Sequence, residues 1–160
     1  MSLLLWPDPR LREKAQPVGE ITPETQAVWD LMVSVMEAMP GYGLAAPQLG
    51  ILQRLAVVDC STERGRVVYL ADPEIVATGE GRHEWDEASP NLPGLSAKVT
   101  RPSPVTVAFT DREGRRIRQT FEGLWATSVQ HQIDHLDGRM FFDRLSRTKR
   151  DMLLKKAAKR

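Results

Sequence analysis

The stretch "GYGLAAPQLG" at residues 41–50 interrupts the pattern on either side of it. Counted with Pro40, glycine and proline fill five of eleven positions. That density breaks a helix and sets a loop or irregular turn. Upstream, "TPETQAVWDLMVSVMEAM" (22–39) reads as one long amphipathic helix. Thr22 suits the N-cap and Pro23 the first helical position. Val28, Leu31, Met32, Val35 and Met39 recur at helical spacing, which predicts a buried face.

Downstream the period changes. "RLAVVD" (54–59), "RVVYLAD" (66–72), "SAKVTRP" (96–102), "PVTVAFTD" (104–111) and "RIRQTFEG" (116–123) read as strands. "DREG" (111–114) is a hairpin turn with glycine at the tight position. "LWATSVQHQIDHLDG" (124–138) is a second helix closed by Asp-Gly, and "RTKRDMLLKKAAKR" (147–160) a third. Residues 7–20 are rich in proline and charge and are expected to be irregular. Helices against a largely antiparallel sheet make an α+β arrangement.

The chain of 160 residues and 18.0 kDa is expected to form one domain, 1–160. Hydrophobic residues make up 41% and charged residues 27%, an ordinary balance for a water-soluble fold. A net charge of +1 gives no global field toward nucleic acid, although residues 144–160 are strongly basic. A single cysteine, Cys60, leaves no internal disulfide to form and fits a reducing compartment. "MSLLLWPDPR" carries an apolar run too short for a membrane span or a signal core. A cytoplasmic location is expected, with no membrane contact and no sequence-specific nucleic-acid partner.

Chemistry concentrates in "QHQIDHLDG" (130–138). His131 and His135 are four apart on a helix, so both imidazoles face one side at the spacing a divalent cation needs. A zinc hydrolase carries glutamate straight after the first histidine, and here that place holds Gln132. The pair is either a metal site without its base or two histidines that pack and solvate. Gln130 and Asp134 are candidate orienting neighbours.

Taken together, "GYGLAAPQLG" and "QHQIDHLDG" resemble the peptide deformylases, a family with the motifs G-x-G-L-A-A-x-Q, E-G-C-L-S and Q-H-E-x-D-H. Gly41, Gly43, Leu44, Ala45, Ala46 and Gln48 match the first in full. "PDPRLREKAQPV" (7–18), "VTRPSPVTVAFTDREG" (99–114) and "HLDGRMFFDRLSRTKR" (135–150) extend the likeness nearly end to end. The resemblance implies antiparallel sheets around a central metal-type helix, with a C-terminal helix. It implies removal of the formyl group from the N-terminal methionine of new bacterial proteins. The family's Fe(II) or Zn is held by two histidines and a cysteine thiolate, with a glutamate as base.

On that resemblance His131 and His135 stand at the metal ligands and Gln48 at the oxyanion glutamine. Gly43, Leu44 and Arg101 stand at the substrate side, Arg101 near the substrate backbone. Setting "NLPGLSA" against E-G-C-L-S puts Leu92, Pro93 and Gly94 at Glu, Gly and Cys, and Leu95 and Ser96 at the last two places. Leu95 then supplies the oxyanion N–H. The thiolate is missing at Gly94 and the base at Gln132. Losing a general base costs on the order of 10²–10⁴ in rate. Two protein ligands fall short of the usual three. The expectation is a family member without useful activity and with doubtful or weak metal binding. It retains a pocket for a formyl-Met peptide or another small ligand. An active hydrolase with a substituted ligand is the alternative, drawing on Cys60 or on His83, Glu84, Asp86 or Glu87 of "GEGRHEWDEASP" (79–90). Some deformylases dock on the ribosome through a basic C-terminal helix, which suggests the same contact for 144–160. Trp85 and Trp125 are expected to pack.

Overall fold

A computed structural model describes residues 2–159. Three helices and seven strands follow in the order α1 (Pro23–Ala38), β1 (Gly43–Ala45), β2 (Leu55–Val58), β3 (Val68–Thr78), β4 (Arg82–Ala88), β5 (Ser96–Pro102), β6 (Val105–Thr110), β7 (Arg116–Phe121), α2 (Gly123–Leu136) and α3 (Arg147–Ala158). Among the described residues this is the expected α+β class. The first and last positions of the predicted 1–160 domain, and the last residue of the predicted third helix, lie outside that range.

Five strands form one antiparallel sheet in the order β1-β2-β3-β6-β7. The hairpin β4-β5 forms a separate two-stranded sheet, from Arg82 opposite Pro102 to Ala88 opposite Ser96. Helix α2 runs between the two sheets, and every residue from Ala126 to Leu136 is buried. Its apolar side, Ala126, Val129 and Ile133, joins Val58, Val107, Phe109 and Phe121 of the larger sheet in one core. Each such buried Val, Ile or Phe contributes roughly 1.5–3 kcal/mol relative to leaving it in water.

Thr22 caps α1 as the sequence suggests, its hydroxyl accepting the Thr25 N–H at 3.2 Å. The buried face differs from the predicted one by about one position. Thr25, Trp29, Met32 and Met36 are buried, whereas Leu31 is exposed and Val28, Val35 and Met39 only flank the core. The large indole of Trp29 sets the rotation by filling the space beneath β1 and β2 among Leu44, Leu55 and Val57.

Strand β4 lies within "GEGRHEWDEASP" (79–90), which is not among the predicted strands. Its side chains are exposed at most positions and Glu87 alone is buried, so no alternation of apolar residues marks it as a strand. The predicted loop at 41–50 also contains order: β1 is followed by a 3-10 turn, Ala46–Leu49, closed by Gly50 at φ 79°. Residues 7–20 hold one short 3-10 turn, Pro9–Arg12, and are otherwise largely irregular. Helix α3 is capped by Ser146 and seats Leu153 against Phe141, Phe142 and Met140. No described helix is long and apolar enough to cross a membrane.

Candidate active site

The loop at 41–50 and α2 meet at Gly43. A Cβ there would lie 2.6 Å from Gln132 Nε2 and 2.7 Å from Ser128 Oγ. Only glycine lets the β1 edge approach the helix this closely. Beside the contact opens a cavity of 240 Å³, walled by Tyr42, Trp85, Leu124 and Pro90 and floored by Gln48, His131 and Gln132. Trp85 is therefore a wall of the cavity rather than a core residue. It is partly exposed, edge-on to Tyr42 and stacked on His83. Trp125 packs against the main core as expected.

Helical spacing brings the histidines together. His131 Nε2 and His135 Nε2 lie 3.1 Å apart, both rings buried. Burial, followed by the neighbouring His131, holds the His135 pKa well below its ordinary value, so His135 is a neutral imidazole at neutral pH. On the other side of His131, Nδ1 meets Glu87 Oε1 at 2.8 Å.

Glu87 begins a buried chain of charges. Arg101 donates to both its oxygens, at 2.6 and 2.8 Å, and to Asp134 Oδ2 at 2.9 Å. Asp134 accepts in turn from Arg144 at 2.5 and 3.0 Å. Burial opposes ionisation of Glu87 and Asp134, but the guanidinium hydrogen bonds outweigh it and both carboxyls lie below their usual range.

Gln48 is fixed by its surroundings. Its Oε1 accepts the Ala45 N–H at 2.8 Å, and its Nε2 donates to Asn91 Oδ1 at 2.7 Å and lies 3.4 Å from Ser89 Oγ. Asn91 also donates to the Leu4 carbonyl at 2.5 Å, tying the N-terminal segment to the cavity wall. Gln132 differs: its buried Oε1 has no hydrogen-bond partner among the described residues. A buried acceptor left unpaired is costly unless a donor arrives.

Four expectations are corrected by this geometry. The segment meeting the histidine helix is Glu87–Asn91, five residues before the predicted Leu92–Ser96, because β4 ends at Ala88 beside His131. Gly94 lies outside the cavity at a turn with φ 76°. Leu95 packs against the Met140–Phe142 cluster and lines a separate groove with Trp6 and Leu154, so it offers no donor to the site. Leu44 is wholly buried between α1 and the sheet. Arg101 is buried behind Glu87, held by two carboxylates, and does not line the cavity.

Gly43, Gln48, His131, Gln132 and His135 do come together as expected. Sequence reasoning missed Ala88, Ser89 and Asn91 and took Glu87 only as a substitute ligand. The available signal was "EAS" at 87–89, which keeps the glutamate of E-G-C and changes each of the next two residues by little.

The donor set does not fit the metal that the resemblance implies. Two imidazole nitrogens converge, but no group of three His, Cys, Asp or Glu that could hold a metal ion occurs among the described residues. Structural and catalytic zinc sites need three or four protein ligands. Glu87 is engaged by Arg101 and His131, and the Ser89 hydroxyl is a neutral donor within 3.1 Å of Asn91 Oδ1. Cys60 does not line the cavity, and burial pushes its pKa up to about 12, which keeps it a thiol rather than a metal-binding thiolate. His83 is turned to Thr127 Oγ1 at 2.8 Å, and Glu84 reaches no further than Lys98.

Comparison with known proteins agrees with the fold. The polypeptide deformylase family profile matches residues 1–151. A peptide deformylase of Xylella fastidiosa is 44% identical over 99% of this chain and 95% of its own length. One of Hydrogenovibrio crunogenus is 42% identical over 99% and 94%. The crystal structure of a peptide deformylase from Legionella pneumophila is 39% identical and superposes with a TM-score of 0.90 over 99% of this chain and 93% of that one.

Proposed function

Because the chain belongs to the polypeptide deformylase family, we propose that it holds a peptide N-terminus in the cavity beside Gly43 without removing its formyl group. The observation that carries this reading is the pair Ser89 and Gln132. Read in register with β4, Glu87, Ala88 and Ser89 take the places of Glu, Gly and Cys in the family motif. An alcohol then stands where the thiolate would be, and an amide where the base would be. A serine hydroxyl is not deprotonated at neutral pH and supplies no soft anionic donor. A glutamine takes no proton from water, whatever else the site holds.

Binding is retained on this reading. The cavity keeps apolar walls in Tyr42, Trp85 and Leu124 for a side chain of the first residue. The free Gln132 Oε1 is suited to a backbone or formamide N–H. Strand β1 ends the order of the five-stranded sheet, which suits it to pair with an extended peptide.

The test joins a binding and a turnover measurement on the full chain, supplied with zinc or iron. Saturable binding of a formyl-Met peptide, lost in Gly43→Leu, with no formate released, is the expected result. Formate release at rates typical of enzymes would overturn the proposal on the side of catalysis. Absence of binding would overturn it on the side of the pocket.

A further inference from the structure

The buried charge chain that starts at His131 ends outside the cavity, at a second depression. Arg144 leaves the chain at the surface and shares a depression of 290 Å³ with Arg12, Arg139, Arg150 and Asp143. The four arginines come from four places: the first 3-10 turn, the segment after α2, the Phe141–Arg144 turn and α3. Nothing in their sequence spacing groups them. The fold alone does so.

Two of these guanidiniums are held in place. Arg144 donates two hydrogen bonds to Asp134, which Arg101 fixes from the far side. Arg12 donates to both oxygens of Asp143 and stacks over Trp6 at 4.8 Å. Asp143 is further held by the Met140 N–H at 2.9 Å. Burial opposes its ionisation, but Arg12 keeps its carboxyl below the usual range, so it stays charged. The other two guanidiniums are free to act. Arg139 makes no side-chain hydrogen bond or ion pair among the described residues. Arg150 reaches Asp143 only at 3.8 Å.

Four cations here face two carboxylates, Asp134 and Asp143, while Arg101 is already matched by Glu87. Two positive charges remain uncompensated in one concave place. Guanidinium forks match the oxygens of a phosphate group, and an ester phosphate carries a charge near −2 at neutral pH. A phosphodiester or a carboxylate carries one negative charge and leaves the cluster half compensated. We propose that Arg12, Arg139, Arg144 and Arg150 form a binding site for a dianionic phosphate group, either the free ion or a monoester. Arg144 and Arg12 position it, and Arg139 and Arg150 close on it.

Calorimetric titration of the full chain with inorganic phosphate, at fixed ionic strength and slightly alkaline pH, reads the site directly. One saturable site is expected. Arg139→Ala with Arg150→Ala should weaken it by about tenfold or more. Both side chains are exposed, so melting of that variant without phosphate should match the parent and shows that the fold is intact. Dimethyl phosphate, which carries one charge, should bind about tenfold more weakly than the dianion. A nucleoside monophosphate that binds more tightly than the inorganic ion assigns the site to an ester, and equal binding assigns it to the free ion. Either result supports the site. Absence of saturable binding, equal binding by the double variant, or equal binding of dimethyl phosphate would overturn it.

Discussion

Ser89 Oγ lies 3.4 Å from Gln48 Nε2, so residue 89, and not residue 94, shares a polar wall with the loop at 41–50. On the proposed reading, the family's cysteine place is therefore that of Ser89. Ser89→Cys with Gln132→Glu should give a chain that holds stoichiometric zinc or iron and releases formate from formyl-Met peptides. Ser89→Cys alone should bind metal and turn over about 10²–10⁴ times more slowly than the pair. Gly94→Cys with Gln132→Glu should do neither. Metal analysis and a formate assay on the three variants decide it, and turnover confined to the Gly94 variant would restore the original register.

Arg101 is buried between Glu87 and Asp134. Arg101→Met should remove the cation that the two carboxylates share, leaving Glu87 with His131 alone and Asp134 with Arg144 alone. A loss of about 3–5 kcal/mol in unfolding free energy is expected, read from urea denaturation at neutral pH. Removing Glu87 as well, in Arg101→Met with Glu87→Gln, should recover part of it. No recovery would mean that Asp134 carries the whole cost.

His135 gives stability a pH dependence of known sign. Its folded pKa lies below 6.5 because burial disfavours the imidazolium, and His131 beside it adds to this. The unfolded chain then binds more protons than the folded one below pH 6.5. Stability from this group is full above that pH and declines as pH falls, by at most about 1.4 kcal/mol per pH unit. Glu87 and Asp134 have depressed values, so their contributions are lost only as pH falls below 4.5 and 3.8. Urea midpoints between pH 7.5 and 5 should fall in the parent and fall less in His135→Asn. Parallel curves would remove His135 as the source.

Gly43→Ala places a methyl group 2.6 Å from Gln132 Nε2 and 2.7 Å from Ser128 Oγ. Overpacking of this kind costs about 1–3 kcal/mol. A double-mutant cycle with Gln132→Ala should return coupling of about 0.5 kcal/mol or more, because the shortened side chain frees half of the space. Strict additivity would show that Ser128 alone sets the limit.

The helices were legible because α1 and α2 carry a 3.6-residue period and α1 carries a side-chain cap. β4 was not legible, since a strand exposed over most of its length shows no alternation. The site was half legible. His131, His135, Gln132, Gln48 and Gly43 announce themselves by spacing and by match to a motif. Glu87 and Ser89 were hidden by the Leu-Ser pair at 95–96, which drew the motif five residues too far along the chain. Leu44 and Arg101 show the limit of carrying roles by position, because burial decides what a side chain can reach. The arginine cluster could not be read at all, because its members lie up to 138 positions apart in the sequence.

Among the described residues, the β4-β5 hairpin has no further strand neighbours. Its polar attachments run to α2: Glu87 to His131, Arg101 to Asp134, His83 to Thr127 and the Pro102 carbonyl to Gln130. Its backbone amides should then exchange with deuterated water on the timescale set by α2, and not on that of the five-stranded sheet. The cavity is bounded by both pieces, so its wall and its floor would open and close as one cooperative unit.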